Sequence, residues 1–212
     1  EFARASWDGL LFRQLYDASP PGFILLLKQW LRVVGDTPAM RLLPALAGAL
    51  TVPVTVWLGA RLRDRAAGLL AALFVALNPL HLYYSNETRY PTLLTLLLAL
   101  QLLSFVELLR AEKIWKWFAF TALTTAALWT QYFTGFFVLA EIVYALGWRR
   151  AERLFLWRLG VSLAATALLF LPWLPEFALQ LTRGKPSREF FSPLQQLFLA
   201  PAFLLLGGSE WG

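Results

Sequence analysis

Four stretches of this chain, 42–60, 66–86, 90–106 and 159–175, contain no aspartate, glutamate, lysine or arginine. Each has the length of a helix that crosses the hydrocarbon core of a bilayer, about 20 mostly apolar residues with a usable range of about 17 to 25. A fifth apolar stretch, 117–148, carries Glu141 as its only charge. At about 1.5 Å per residue it is too long for one crossing, so it reads better as two short helices. The expected break lies near Thr130-Gln131-Tyr132-Phe133-Thr134-Gly135. A last run, 194–206, reads as a further span or half-span interrupted by Pro201. The expected fold class is therefore all-α integral membrane, a polytopic transmembrane helix bundle.

Composition agrees. Hydrophobic residues make up 58% of the chain and charged residues 15%, against roughly 25% charged in soluble domains. The net charge of +6 comes from short basic clusters between apolar runs, the pattern of membrane topology rather than of a nucleic-acid face. No nucleic-acid partner is expected. The absence of cysteine excludes disulfides and thiolate-bound metals, and His81, the single histidine, has no second ligand at zinc spacing. Met40 is the only methionine and no signal peptide opens the chain, so we read it as a fragment cut at both ends.

The basic clusters set an orientation. Arg61, Arg63 and Arg65 form one, Arg110, Lys113 and Lys116 a second, and Arg149, Arg150, Arg153 and Arg158 a third. If 117–148 crosses twice, all three share a face, which the positive-inside rule makes cytoplasmic. The opposite, external face then holds residues 1–36, the 85–90 turn and the 176–193 loop, with Arg183, Lys185 and Arg188 in that loop as a mild exception. The resulting plan is a first external loop (1–40), a transmembrane core of about six spans (41–175), an external loop (176–193) and the start of a further span (194–212). In the first loop, Phe12, Leu15 and Tyr16 precede Pro20-Pro21. Phe23 to Leu27, Trp30, Leu31 and Val34 follow at helical spacing, with Lys28 and Arg32 on another face. Short interfacial amphipathic helices fit this pattern. Trp57, Tyr83, Tyr84, Trp115, Trp117, Trp148, Trp157 and Trp173 read as interfacial anchors.

Ionisable residues at the membrane face are functional candidates because they are costly there. The densest group is His81-Leu82-Tyr83-Tyr84-Ser85-Asn86-Glu87-Thr88-Arg89-Tyr90. Glu87 has two readings of equal weight, a charge at the N-terminus of the next helix or part of a site. Asn86-Glu87-Thr88 matches the glycosylation acceptor pattern by chance, so near the membrane. His81 reads as a satisfied interfacial residue. Glu141 is expected to approach the cytoplasmic side, or else to bond with Gln131 or Tyr132.

The order of motifs resembles a family. Ser19-Pro20-Pro21-Gly22-Phe23-Ile24-Leu25-Leu26, Gly35-Asp36-Thr37 and Arg41-Leu42-Leu43-Pro44-Ala45-Leu46 are similar to the first external loop of C-type glycosyltransferases. The nearest branch holds the bacterial relatives of protein mannosyltransferase and aminoarabinose transferase, around glycosyltransferase family 39. Residues 66–79, then 83–90, continue the match. Thr130-Gln131-Tyr132-Phe133 resembles the family's Thr-His-Tyr-Phe break with Gln in place of His, and Leu171-Pro172-Trp173-Leu174-Pro175 its Leu-Pro-Trp stretch. The resemblance covers nearly the whole chain and implies a C-type bundle in a bacterial cytoplasmic membrane with its active site outside. It also implies a polyprenyl-phosphate monosaccharide as donor, with a hexosyl or pentosyl group passing to a protein, lipid or glycan acceptor. In the family an Asp-Glu pair opens the first external loop. Glu1 matches the Glu, so the Asp, the family's general base, would precede this chain and the fragment would be inactive alone.

Attack of a hydroxyl on an anomeric carbon needs a carboxylate to take the proton. A phosphate leaving group needs no general acid, unlike the two-carboxylate hydrolases, but calls for a cation, and arginine suits it. Glu1, by its match to the family's acidic pair, and Glu87, which would orient the acceptor or sugar, are the catalytic candidates. Arg89, Tyr90, Tyr84 and His81 are the donor-binding candidates. No cofactor or metal ligand set is expected, and a need for a divalent metal is left open. Membrane lipids are the other expected partners. The competing readings are a secondary transporter or flippase-like protein and a non-catalytic membrane scaffold.

Overall fold

A computed structural model describes residues 19–35, 39–148 and 152–183. Several residues of the sequence reading lie outside these: Glu1 and the rest of 1–18, Asp36 and Thr37, Arg149 and Arg150, Lys185, Arg188 and the 194–206 run. Every regular element among the described residues is helical. Helix α1 (Gly22–Val34) begins after Pro20-Pro21 and stops at Gly35, whose φ of 82° is open to glycine. Its Phe23, Leu27 and Leu31 recur once per turn and are buried. They pack with Ala47, Leu93 and Leu96, so the apolar stripe expected to lie in the membrane interface rests on the protein itself.

The bundle follows: α2 (Leu42–Leu62), α3 (Arg65–Leu77), α4 (Pro79–Asn86), α5 (Pro91–Arg110), α6 (Ile114–Thr130), α7 (Thr134–Trp148) and α8 (Arg153–Phe170). Helix α8 continues through a 3-10 turn, Leu171–Trp173, into α9 (Leu174–Arg183). Among the described residues three helical segments, Ala39–Leu62, Pro91–Arg110 and Arg153–Gln180, are long and apolar enough to cross a membrane alone. The α3–α4 pair makes a fourth if its 59° bend counts as one broken span. That bend falls inside the uncharged run 66–86. Its cause is local: a residue before proline is pushed out of the helical region, and Asn78 sits at ψ 118°. Its Oδ1 then accepts from the Leu80 and His81 amides at 2.9 and 3.0 Å, capping α4.

The stretch 117–148 folds as α6 and α7 with a break at 131–133. Their 17 and 15 residues span about 25 and 22 Å. Side-chain contacts give their directions. On α5 and α7, Gln101 meets Glu141 and Phe105 meets Tyr144, so these two helices run parallel. On α6 and α8, Trp117 meets Phe155 and Trp129 meets Phe170, so these run parallel as well. The chain therefore runs away from the Glu107 end of α5 along α6, back toward it along α7 and away again along α8.

One end of the bundle is basic and ion-paired. Glu107 of α5 takes Arg61 of α2 at 2.7 Å and Lys116 of α6 at 2.9 Å. Arg110 donates to the Arg61 carbonyl, and Arg158 reaches Glu112 at 2.8 Å. Beneath this layer Phe105, Leu108, Trp117, Phe120, Ala145 and Phe155 form a core. Two of the aromatics expected as interfacial anchors, Trp117 and Trp173, are instead buried, at 6% and 4% exposure. Glu141 also departs from both expectations. It is buried against α5, where Gln101 Nε2 donates to its Oε2 at 2.7 Å; the sequence reading overlooked Gln101, whose partner is forty residues away.

The polarity of the bundle is inverted relative to a soluble fold. Thr51, Thr92, Gln101, Thr124, Thr134 and Thr166 are buried, while Leu69, Leu73, Phe74, Phe118, Phe136 and Val143 face outward. In water such a surface would be an aggregation hazard; in lipid it is the solvated face, and close backbone contact with interhelical polar bonds holds the inside. The α2–α3 hairpin shows that closeness. A Cβ on Gly59 would strike the Gly68 Cα, and one on Gly68 the Val56 carbonyl.

Glu107→Ala should strand Lys116, which is nearly buried, without its counter-ion. Loss of one partner from a buried ion pair costs about 3–5 kcal/mol, so we expect a clearly lower melting temperature in detergent. The double variant Glu107→Leu/Lys116→Leu should recover part of that loss; equal melting of wild type and Glu107→Ala would contradict the role given to this cluster.

Candidate functional site

At the opposite end of the bundle the backbone leaves the helix for a single turn between α4 and α5. Helix α4 runs on through Ser85 and Asn86, so the turn itself is Glu87 to Tyr90. Glu87 is the C-cap of α4, with its amide 3.4 Å from the Tyr84 carbonyl, and the Arg89 amide donates to the Glu87 carbonyl at 2.8 Å. A carboxylate is unfavourable beside the negative end of a helix dipole. The N-cap of α5 is Tyr90, which makes no side-chain cap bond. The capping explanation for Glu87 therefore does not hold. Among the described residues Glu87 pairs with Arg89, 3.8 Å away, with side-chain exposures of 39% for Glu87 and 70% for Arg89. An open pair at that distance stabilises very little, which leaves both groups available.

Tyr90 connects this turn to the α6–α7 break. Gln131 is buried and donates from Nε2 to the Tyr90 hydroxyl at 2.9 Å. Its Oε1 accepts from the Tyr132 amide at 2.8 Å, so one side-chain amide holds both strands of the connection. Tyr132 in turn accepts from Trp173 Nε1 at 2.8 Å and donates to Gln180 Oε1 at 2.6 Å. Burial pushes the Tyr132 phenol above its ordinary value, so it stays a neutral hydroxyl at pH 7. Trp129, Phe170 and Phe177 pack around these residues.

The other sequence candidates sit differently. His81 lies on α4, with Nε2 3.3 Å from the Gly48 carbonyl. A carbonyl only accepts, so that nitrogen carries the proton, and the ring joins α4 to α2. Ser85 donates to the His81 carbonyl at 2.6 Å, and a Cβ on Gly48 would collide with Ser85. Tyr84 packs edge-on against Tyr83 at 5.3 Å. The structure thus gathers Glu87, Arg89 and Tyr90 in one turn, while His81 serves helix packing. Glu1 lies outside the described residues. Among the described residues no three His, Cys, Asp or Glu side chains converge as a metal site.

Sequence reasoning marked the break as a motif but missed its partners, Tyr90 for Gln131 and Trp173 and Gln180 for Tyr132. The separations, 41 to 48 residues, leave no local trace. The one available signal was polarity, since a glutamine in an apolar run requires a partner.

A family model for dolichyl-phosphate-mannose-protein mannosyltransferases matches residues 18–175. The chain belongs to that family. No curated protein and no solved structure gives a significant match. The matched region runs from just before α1 to the start of α9, and so contains the Glu87–Tyr90 turn and the Gln131 break. Membership makes this mannosyltransferase relative a membrane glycosyltransferase of the C type.

In a double-mutant cycle, Tyr90→Phe and Gln131→Leu should show a coupling of about 1 kcal/mol in unfolding free energy, the net worth of one buried hydrogen bond. Simple additivity would mean that the turn and the break are not joined by this contact.

Proposed function

We propose that the protein transfers a monosaccharide from a polyprenyl-phosphate donor to an acceptor hydroxyl at the external face of the membrane. The observation that carries the reading is the Glu87–Arg89 pair. It is an acid and a guanidinium in one open turn, without a structural task, at the end of the bundle remote from the basic clusters. By the positive-inside rule the basic end is cytoplasmic, which assigns Glu87 and Arg89 to the outer headgroup layer. A bacterial cytoplasmic membrane is the setting that agrees with this orientation.

The chemistry follows from the groups. The acceptor oxygen forms a bond to the anomeric carbon as the bond from that carbon to the phosphate oxygen breaks. The acceptor proton passes to a carboxylate, and the polyprenyl phosphate departs with the bonding electrons. Arg89 contacts the phosphate through charge-assisted bonds, with Tyr90 beside it, while Tyr84 and His81 border the same segment on α4. Glu87 orients the sugar or the acceptor. The base is assigned by resemblance to the acidic pair at the start of the first external loop, of which Glu1 is the second member. Family membership favours this chemistry over the transport alternative.

In the full-length protein, Arg89→Ala should lower kcat/KM for sugar transfer about 10- to 100-fold, the worth of a hydrogen bond to a charged group, with partial rescue by Arg89→Lys. Glu87→Gln should lower turnover at unchanged expression. Transfer from a radiolabelled lipid-linked sugar is the measurement, and near-normal turnover of both variants would sink the assignment.

A further inference from the structure

Helix α3 turns nothing of size inward. Its buried residues are Gly68 and Ala72, and Gly68 is where it closes on Gly59 of α2. Its large apolar side chains, Leu69, Leu70, Leu73, Phe74 and Leu77, are 53 to 74% exposed. Arg65, Leu69, Leu73 and Leu77 follow one another at intervals of four, so they form one stripe down the outside of the helix. From Arg65 to Leu77 the stripe runs about 18 Å, close to the roughly 15 Å of hydrocarbon in one leaflet. The bend at Asn78 ends it there.

The turn at the head of this stripe holds three arginines, of which the fold uses one. Arg61 is committed to Glu107 at 2.7 Å, and its carbonyl takes the Arg110 guanidinium. Among the described residues the Arg63 side chain meets only Asp64, at 3.6 Å, and is 83% exposed. An open pair of that length contributes little. Asp64 is itself engaged as the α3 cap, its Oδ1 accepting from the Ala67 amide at 2.7 Å. Arg65 is exposed, and its side chain has no partner among the described residues. Arg63 and Arg65 thus stand against Asp64 alone, while the neighbouring Glu107 is already outnumbered by Arg61 and Lys116.

Two accessible guanidiniums above an outward apolar stripe of one leaflet's length match an amphiphile of opposite charge. A phosphate diester accepts charge-assisted bonds from arginine, and basic residues at the end of a span attract anionic headgroups. A zwitterionic headgroup brings its own ammonium to a turn that is already positive, so a lipid without one is favoured. We propose that the outer face of α3 seats an anionic phospholipid, with its phosphate on Arg63 and Arg65 and one acyl chain along Leu69, Leu73 and Leu77. Such a seat requires the bilayer alone and is independent of the sugar-transfer chemistry.

Native mass spectrometry of the full-length protein in detergent, titrated with phosphatidylglycerol or phosphatidylethanolamine of matched chains, reads the seat. Wild type should hold phosphatidylglycerol the more tightly. Arg63→Ala/Arg65→Ala should weaken it about 10- to 30-fold and leave phosphatidylethanolamine unchanged. Lys113→Ala/Arg153→Ala removes two other exposed cations from the same end of the bundle and should change little. Equal binding of the two lipids by wild type overturns the seat. So does equal weakening by the two double variants, since charge spread over the whole end would then account for binding. If Arg63→Ala/Arg65→Ala does not fold, phosphatidylglycerol with a diazirine in its acyl chain should label wild type within residues 65–77, and labelling confined to other helices overturns the seat. Complete displacement of that lipid by undecaprenyl phosphate at equal concentration does the same, by assigning the stripe to a polyprenyl chain.

Discussion

The ion cluster around Glu107 fixes the frame on which the rest depends. A single carboxylate joins α2 through Arg61 and α6 through Lys116, and α5, on which it stands, is the central helix. Once these three helices share an end, the short connections that follow leave no choice of direction for α3, α7 or α8. The Arg158–Glu112 pair extends the same layer to α8. An ionic layer of this kind is affordable at the membrane edge, where water and headgroups solvate the exposed part of Arg61. In the hydrocarbon the same charges would require complete pairing.

Between the two ends the bundle uses a different kind of cohesion. Lipid gives no hydrophobic incentive for helices to associate, so close backbone approach and a few interhelical polar bonds take over. Gly59 against Gly68 serves the α2–α3 hairpin, and Gln101 with Glu141 serves α5 and α7. Threonines contribute as well: Thr51, Thr121, Thr124 and Thr125 return their hydroxyl protons to carbonyls four residues earlier, which satisfies these four hydroxyls within their own helices.

The site end is organised by what it leaves unused. Glu87 sits at the wrong end of a helix dipole, and its ion pair with Arg89 is long and open. By contrast Tyr90, Gln131 and Tyr132 are tied into a connected set of hydrogen bonds. Such an arrangement leaves two charged groups open on a turn whose neighbours are held in place, which is what the proposed site would require of a preorganised scaffold. Family membership gives the class of chemistry, and under the proposed function the Glu87–Tyr90 turn is where the protein's own charged groups would meet a lipid-linked substrate.

Much of this was legible in the sequence because the bilayer imposes length and composition on each span separately. Uncharged runs near 20 residues, the basic clusters and the polar break at 131 all carry their signal within a few residues. So did Asn78-Pro79, a bend signal plain in the sequence but hidden by reading 66–86 for hydropathy alone. Burial of Trp117 and Trp173, the Gln101 partner of Glu141 and the failure of Glu87 as a cap became visible only in the tertiary structure. Each depends on which residues forty or so positions apart face one another, and that is decided by how helices rotate and dock. Hydropathy fixes that a helix crosses the membrane, and packing alone fixes which of its faces turns inward.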